Sequence, residues 1–517
     1  MVKKNSFLKN VLILLFSQGI IKVVGIIYKL YLTNKTGYGD VGNALFAAAF
    51  QVYAIFLTIC SIGVPNAISN LISSKVAMGD NRGAYRILKV AIAIFGSIGF
   101  SLSIVLYFLA KTISVYYLEM PETENVLKSL APSIFIVAVT AVFKGYFNGK
   151  QKMDITANSL SIEQIIKTII TIVVVEVLAS ISGSKTYIMV WSVGITTTIG
   201  NSVSLIYIYI NYLKSKREIW TDIITSTTNK LERKRTILKS IFKVSCPIAF
   251  CALIATFNKT IDALTIVRIT KVYLGETEAI RQYGILSGKV ESLVTFPLSF
   301  NMAITTVLIP KISEFRAKGE IEKTKEMIKN ILCASIIIGI PCFLSIFCFS
   351  KDILKILFPR AYDGYLLLKY SSITILITIM TQTINSYLQG MNKMGIQLIA
   401  VGIGTIMKVV LNILLLQNSK LGIYGAVISN IISYSIVLFV LIYYLIMKEK
   451  IHFEIRRFLI KPVILGLNMY IILKKIYMIH IMKNDIFNLL FCLTASGIIY
   501  IIMIFFSKIL QKSGTKC

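Results

Sequence analysis

The sequence predicts an all-α polytopic membrane protein of about fourteen transmembrane helices, arranged as two parallel-repeat six-helix lobes plus two C-terminal helices. Three observations carry this reading. Of 517 residues, 56% are hydrophobic and only 15% charged, whereas globular chains run nearer half apolar and about a quarter charged. Apolar runs of roughly 20 residues, enough to cross a bilayer, recur from one end of the chain to the other. Lys and Arg are divided unequally between alternate loops.

The first six runs lie at 8–32, 44–72, 88–109, 130–147, 160–178 and 187–212. The next six lie at 241–269, 285–309, 331–349, 367–388, 396–416 and 423–447, and two more follow at 459–481 and 487–509. The first begins like a signal peptide, but its apolar stretch runs past the usual length without a small-residue cleavage site, so it is read as an uncleaved span. With both termini in the cytoplasm, the cytoplasmic segments hold roughly three times as many Lys and Arg as the outer ones, which fixes the expected orientation. The formal charge of +31, from 55 Lys+Arg against 24 Asp+Glu, has the same origin. No loop is long enough to build a basic folded surface, so nucleic acid is excluded as a partner. The longest connection, after the sixth run, reads as a basic amphipathic linker at the cytoplasmic face.

The chain matches itself at an offset of 240 to 241. The segment from Ile72 lies over that from Ile312, pairing Gly79 with Gly319 and Lys89 with Lys329; after a slip of one, Gly145 to Met153 lies over Ser386 to Met394, and Lys167 falls on Lys408. These matches use Gly and Lys as well as Ile, which favours duplication over chance. An even repeat of six spans keeps both halves in one orientation, related by an axis along the membrane normal. The expected domains are 1–235, 236–448 and an accessory pair of helices in 449–517.

Ionisable residues inside spans are costly and are functional candidates by default. Gln18, Lys22, Gly25 and Lys29 share one stripe of the first span. Lys22 lies about 21 Å along the helix from Leu8, too deep to reach a surface easily, while Lys29 is nearer the outer end and suits snorkelling. Such a stripe suits phosphate or carboxylate. Glu163 and Lys167 read as an i, i+4 pair in the favourable order, as a site or as a self-neutralising structural pair. Lys408 has Gly404 where Glu163 would be, and Asp262, one turn after Asn258, is its best acid partner. Lys289 is a third deep cation, followed by Glu291 and by Pro297, which is expected to bend its helix. Lys474 and Lys475 read as lipid-facing.

Catalytic and redox inventories are thin. His452 and His480 have no triad-forming neighbours, the eight cysteines form no CxxC, and no metal-ligand spacing appears. Gly284-Ile-Leu-Ser-Gly288-Lys-Val fails as a phosphate loop. The chain is therefore not expected to be an enzyme or to carry a cofactor.

Several elements together resemble a known family: Lys22-Val-Val-Gly-Ile-Ile-Tyr-Lys29, Gly63-Val-Pro65-Asn-Ala-Ile-Ser, and Tyr283-Gly-Ile-Leu-Ser-Gly288 leading to Phe296-Pro297 and Ile309-Pro310-Lys-Ile-Ser-Glu. To these add Gln389-Gly390 with Lys393, and Lys408 with Asn412. Over its whole length the chain resembles the stage V sporulation protein B type of polysaccharide transporter, related to the MurJ lipid II flippases, within the multidrug/oligosaccharidyl-lipid/polysaccharide exporter superfamily. The resemblance implies a V-shaped pair of lobes that flips an undecaprenyl-pyrophosphate-linked saccharide, a cell-wall or polysaccharide precursor, by alternating access. It implies that Lys22, Lys29 and Lys289 are cavity cations of the first and eighth spans, although the second span here has no basic residue. It also aligns Asp262 and Asn412 with part of a sodium site, where Lys408 would place a fixed cation. The expected partners are a lipid-linked anionic saccharide and membrane lipids, with the chain as a monomer; coupling by Na+, H+ or membrane potential stays open. The rival readings are a drug antiporter of the same superfamily, which should have an acidic cavity, and a membrane-embedded glycosyltransferase or polymerase, which needs catalytic acids.

Overall fold

The protein is described from a computed structural model, which covers residues 2–183, 185–224, 233–451, 453, 460–479 and 485–506. His452 and His480 lie outside the described residues. The described chain is helical without strands and divides into two compact units, Met1–Gly284 and Ile285–Cys517.

The first unit contains α1 (Val2–Asn34), α2 (Gly39–Ser61), α3 (Val64–Ala77), α4 (Asn81–Thr112), α5 (Thr123–Gly149), α6 (Met153–Ser182) and α7 (Thr186–Lys214). It continues with α8 (Lys216–Ile224), α9 (Lys234–Leu274) and α10 (Glu276–Gly284). The second unit opens with a π-helical stretch, Ile285–Val290, then α11 (Glu291–Ala317), α12 (Ile321–Leu357), α13 (Tyr365–Ser371) and α14 (Ile373–Gly390). It closes with α15 (Met394–Leu416), α16 (Tyr424–Met447), α17 (Lys461–Ile479) and α18 (Asp485–Phe506). α9, which carries the seventh expected span, packs against α2 and α3.

Twelve stretches among the described residues are long and apolar enough to cross a membrane, and they coincide with the second to seventh and ninth to fourteenth expected spans. The first and eighth expected spans fall on the long helices α1 and α11, which are not among the twelve, so the count of fourteen is not confirmed. The second expected span is two helices rather than one. Gly63 has φ +89 and caps α3 in the left-handed region, which only glycine enters freely. A Cβ there would meet Ser245 O of α9 at 2.9 Å, so this break also lets α9 approach. Gly284 is similarly constrained, since a Cβ would stand 1.8 Å from Asp40 O at the head of α2. These contacts account for two of the glycine motifs.

The duplication reappears in each unit's own geometry. Between α3 and α4, Gly79 has φ +72 and Asp80 N donates to Lys75 O at 2.9 Å; between α11 and α12, Gly319 has φ +74 and Glu320 N donates to Phe315 O at 2.9 Å. Between α5 and α6, Gln151 has φ +62 and Lys152 N donates to Phe147 O at 2.9 Å; between α14 and α15, Asn392 has φ +57 and Lys393 N donates to Leu388 O at 2.8 Å. Even the tightest packing is copied. A Cβ on Gly149 would lie 2.8 Å from Ile72 Cβ, and one on Gly390 would lie 2.8 Å from Ile312 Cβ.

Overpacking of a close helix contact costs about 1–3 kcal/mol. Gly149→Ala and Gly390→Ala should therefore each lower the thermal midpoint of the purified protein in detergent. Gly395→Ala, where nothing lies within 4 Å of a Cβ, should leave it unchanged; equal midpoints for all three variants would contradict the packing.

Candidate functional site

α1 and α6 run parallel and are joined by polar contacts that stay in step along both helices. Ser17 Oγ donates to Ala157 O at 2.8 Å and lies 2.7 Å from Ser161 Oγ. Further along, Gly25 lets Gln164 approach, and Lys167 Nζ lies 5.4 Å from the centre of the buried Tyr28 ring. At the far end Tyr31 donates to Glu176 Oε1 at 2.5 Å, and Lys35 pairs with the other oxygen of the same carboxylate. On its other flank α6 meets α7 through Ser159 and Ser204, 2.7 Å apart, and through Thr171 and Thr196, also 2.7 Å apart. Small residues make that approach close, since a Cβ on Gly200 would lie 2.9 Å from Lys167 Cβ.

This arrangement corrects the expected pairing of Glu163 with Lys167. Glu163 Oε2 instead lies 3.7 Å from Lys144 Nζ of α5, and Lys167 turns to the face of Tyr28. The i, i+4 spacing allowed the intrahelical pair, but a neighbouring helix brings a largely buried cation, 15% exposed, within ion-pair distance of the carboxylate.

Lys22 projects from the exposed side of α1. It feels the charge of Lys259 on α9, which is exposed as well. Two cations of one unit therefore act on a common region from different helices. Lys29 is half-buried, and for Gln18 only the backbone is described. One residue after Asn258 and three before Asp262, Lys259 belongs to the same stretch of α9. Asn258 is buried and Asp262 half-buried. Lys259 and Lys144 were not singled out in the sequence, although Lys259 had a readable signal as a cation in the middle of an apolar run. Lys144 stands close to the end of its run, where snorkelling masks a tertiary partner.

In the second unit, Lys289 lies in the π-helical stretch and is fully buried, its ammonium donating to Ala361 O at 2.6 Å. Lys289 thus ties the segment between α12 and α13 to the start of the unit, a different environment from the open cavity expected for it. Gly364, with φ +93, packs the same segment against Ile285. Lys408 and Asn412 are both buried on one face of α15. The α15–α16 hairpin encloses them, with Ser429 Oγ donating to Lys408 O at 3.3 Å and Gly404 set against Ser433 O. Lys474 and Lys475 on α17 are exposed.

The chain is similar to proteins of related architecture. It is 23% identical over 427 residues to stage V sporulation protein B of Bacillus subtilis (strain 168), covering 82% of this chain and 81% of the relative. It is 24% identical over 446 residues to lipid II flippase MurJ of the same organism, covering 83% and 80% respectively. A solved structure of lipid II flippase MurJ in an inward closed conformation matches with a TM-score of 0.67 at 17% identity, over 97% of this chain and all of that one. Residues 247–414 match the MatE family. The chain thus has the multi-pass fold shared by the MurJ and MATE transporters. Residues 7–316, more than half of its length, match the polysaccharide biosynthesis protein family, and the chain belongs to that family.

Proposed function

We propose that this protein is a flippase that moves an undecaprenyl-pyrophosphate-linked saccharide from the inner to the outer leaflet by alternating access, and that it is not an enzyme. The observation that carries this reading is that α1 and α9 each carry an exposed cation in an apolar stretch, Lys22 and Lys259, and that the charge of Lys259 is felt at Lys22. A multivalent anion such as a pyrophosphate could accept charge-assisted hydrogen bonds from both ammonium groups. A cationic pair is poorly suited to the drug cations of an antiporter. The names of the relatives support a lipid-linked cargo. The lipid tail stays in the bilayer while the saccharide passes, and the protein works as a monomer of the bacterial cytoplasmic membrane with both termini inside. Asp262 and Lys408 are proposed as charges coupled to the conformational cycle, together with Asn258 and Asn412. The parallel lobes of 1–235 and 236–448 would rock against each other.

Charge-assisted contacts contribute about 1.5–3 kcal/mol each. Lys22→Ala should weaken capture of a reconstituted undecaprenyl-linked substrate by about one to two orders of magnitude, with normal expression. Lys22→Arg should largely keep it and Lys22→Glu should be worse than Ala, and Lys259→Ala should follow Lys22→Ala. Equal function of all four variants at equal levels would leave the cationic-capture mechanism without support.

Removing one partner of a buried ion pair costs about 3–5 kcal/mol, so Asp262→Asn or Lys408→Gln alone should harm transport or stability more than the two together. Additive defects in that cycle would count against the pair. For orientation, a single cysteine at Lys216 should resist an impermeant thiol reagent in intact cells while one at Lys420 reacts; the reverse pattern would invert the topology.

A further inference from the structure

A cavity of about 650 Å³ opens at the head of α4, bounded by α8 and by the start of α9. Four cations line it: Arg82, Arg86 and Lys89 on successive turns of α4, and Lys234 on α9. Among the described residues no ion pair engages any of the four. Among the described residues the acids nearest in sequence are held elsewhere, Asp80 by Lys75 at 3.1 Å, Glu218 by Lys152 at 2.7 Å and Asp222 by Lys150 at 2.8 Å. The last two pairs pin the short helix α8 to the α5–α6 turn and so fix one wall of the cavity. Lys89 Nζ stands 4.7 Å from the centre of the Tyr85 ring.

The remainder of the lining is apolar. Val90 and Ile94 continue the stripe of α4 beyond the cations, and Ile223 and Leu238 face it from α8 and α9. Arg82 to Ile94 spans about 18 Å of helix, so the cavity is cationic at the end of the helix and oily toward its membrane-spanning part. Loop cations placed only for topology have no need to converge on one cavity with such a wall.

The internal duplication supplies an independent control. α12 starts with the same glycine turn as α4, yet Glu322 and Glu326 occupy the places of Arg82 and Arg86, and Glu322 is neutralised by Lys325 at 2.6 Å. The turn and the helix start therefore form without these arginines. Their unpaired charge in the first unit serves something other than folding.

We propose that this cavity binds the phosphate headgroup of an anionic membrane lipid, with the two arginines and two lysines holding the phosphate oxygens and an acyl chain lying along Val90, Ile94 and Leu238. The site is separate from the Lys22–Lys259 region, and its existence does not depend on what the protein transports.

The test uses full-length protein in nanodiscs holding equal phosphatidylglycerol and phosphatidylcholine, with lipid retained after detergent extraction read by native mass spectrometry. Wild type should retain phosphatidylglycerol selectively. The double variant Arg82→Glu/Arg86→Glu, which copies residues that α12 already tolerates in this setting, should lower that retention about tenfold, the loss expected from charge-assisted contacts. Ala93→Trp, which fills the apolar wall and leaves every cation in place, should lower it as well. Inorganic pyrophosphate should fail to displace the lipid. Equal retention of both lipids, wild-type retention by the double variant, no effect of Ala93→Trp, or complete displacement by pyrophosphate, which would mark a site for free phosphate, would each overturn the proposal.

Discussion

A bilayer core offers no hydrogen-bond partner, so every polar group carried into it must be satisfied by the protein or must face water. Much of the internal arrangement of each unit answers that constraint. Hydroxyl pairs close the seams of α6, with Ser17 against Ser161 and Thr171 against Thr196. In the second unit Asn301 Nδ2 donates to Gln382 Oε1 at 2.9 Å and approaches Thr383, which in turn meets Ser335 Oγ at 2.9 Å. Such networks tie α11, α12 and α14 together where apolar contact with a neighbour is no better than apolar contact with lipid. Lys289, with its ammonium on Ala361 O, extends the same logic to a full charge.

Duplication shows which features the fold demands and which were free to change. The turn hydrogen bonds and left-handed residues at Gly79 and Gly319, and at Gln151 and Asn392, are the same in the two copies. So are the glycine contacts onto Ile72 and Ile312. These are backbone requirements, and a side chain at Gly149 or Gly390 would push two helices apart. The charges around them diverged. Glu163 has Lys144 for company in one copy, while the matching position of the other is Gly404, packed directly against α16. Lys167 and Lys408 keep the same type of residue in different settings, one over an aromatic ring and the other sealed in a hairpin. Matching turns and glycine contacts are thus kept in the two units while the deep charges beside them differ.

Span positions were legible because hydropathy is a property of one segment at a time. The duplication was legible because its turns need glycine and asparagine-like residues at fixed spacing. The break at Gly63 was masked by apolar neighbours although Pro65 is a helix-start signal, and the left-handed φ of Gly63 and the approach of α9 show why glycine stands there. Partner choice was the least legible level. The spacing of Glu163 and Lys167 satisfied a local rule, but the competing cation came from another helix 19 residues earlier in the chain. Lys289 was readable as a deep charge, whereas its attachment to Ala361 depends on how a segment 72 residues later folds back. The oversight of Lys259 was of another kind: its depth in α9 was visible, and its meaning came only from its neighbour on α1.

A like-charged pair on two helices is informative because the two ammonium groups do not attract each other. Had Lys22 and Lys259 evolved only to be tolerated, their long stems allow them to diverge toward different surfaces, which lowers repulsion at little cost. Both are exposed instead, and the charge of Lys259 is felt at Lys22, an arrangement that an entering anion would favour. Binding energy that depends on two helices keeping their spacing is lost as soon as those helices separate. A ligand held in this way favours the arrangement in which they are close, and a conformation that parts them releases it. Under the proposed function such a ligand would shift the balance between states through its differential contacts alone, and capture and release would need no chemical step.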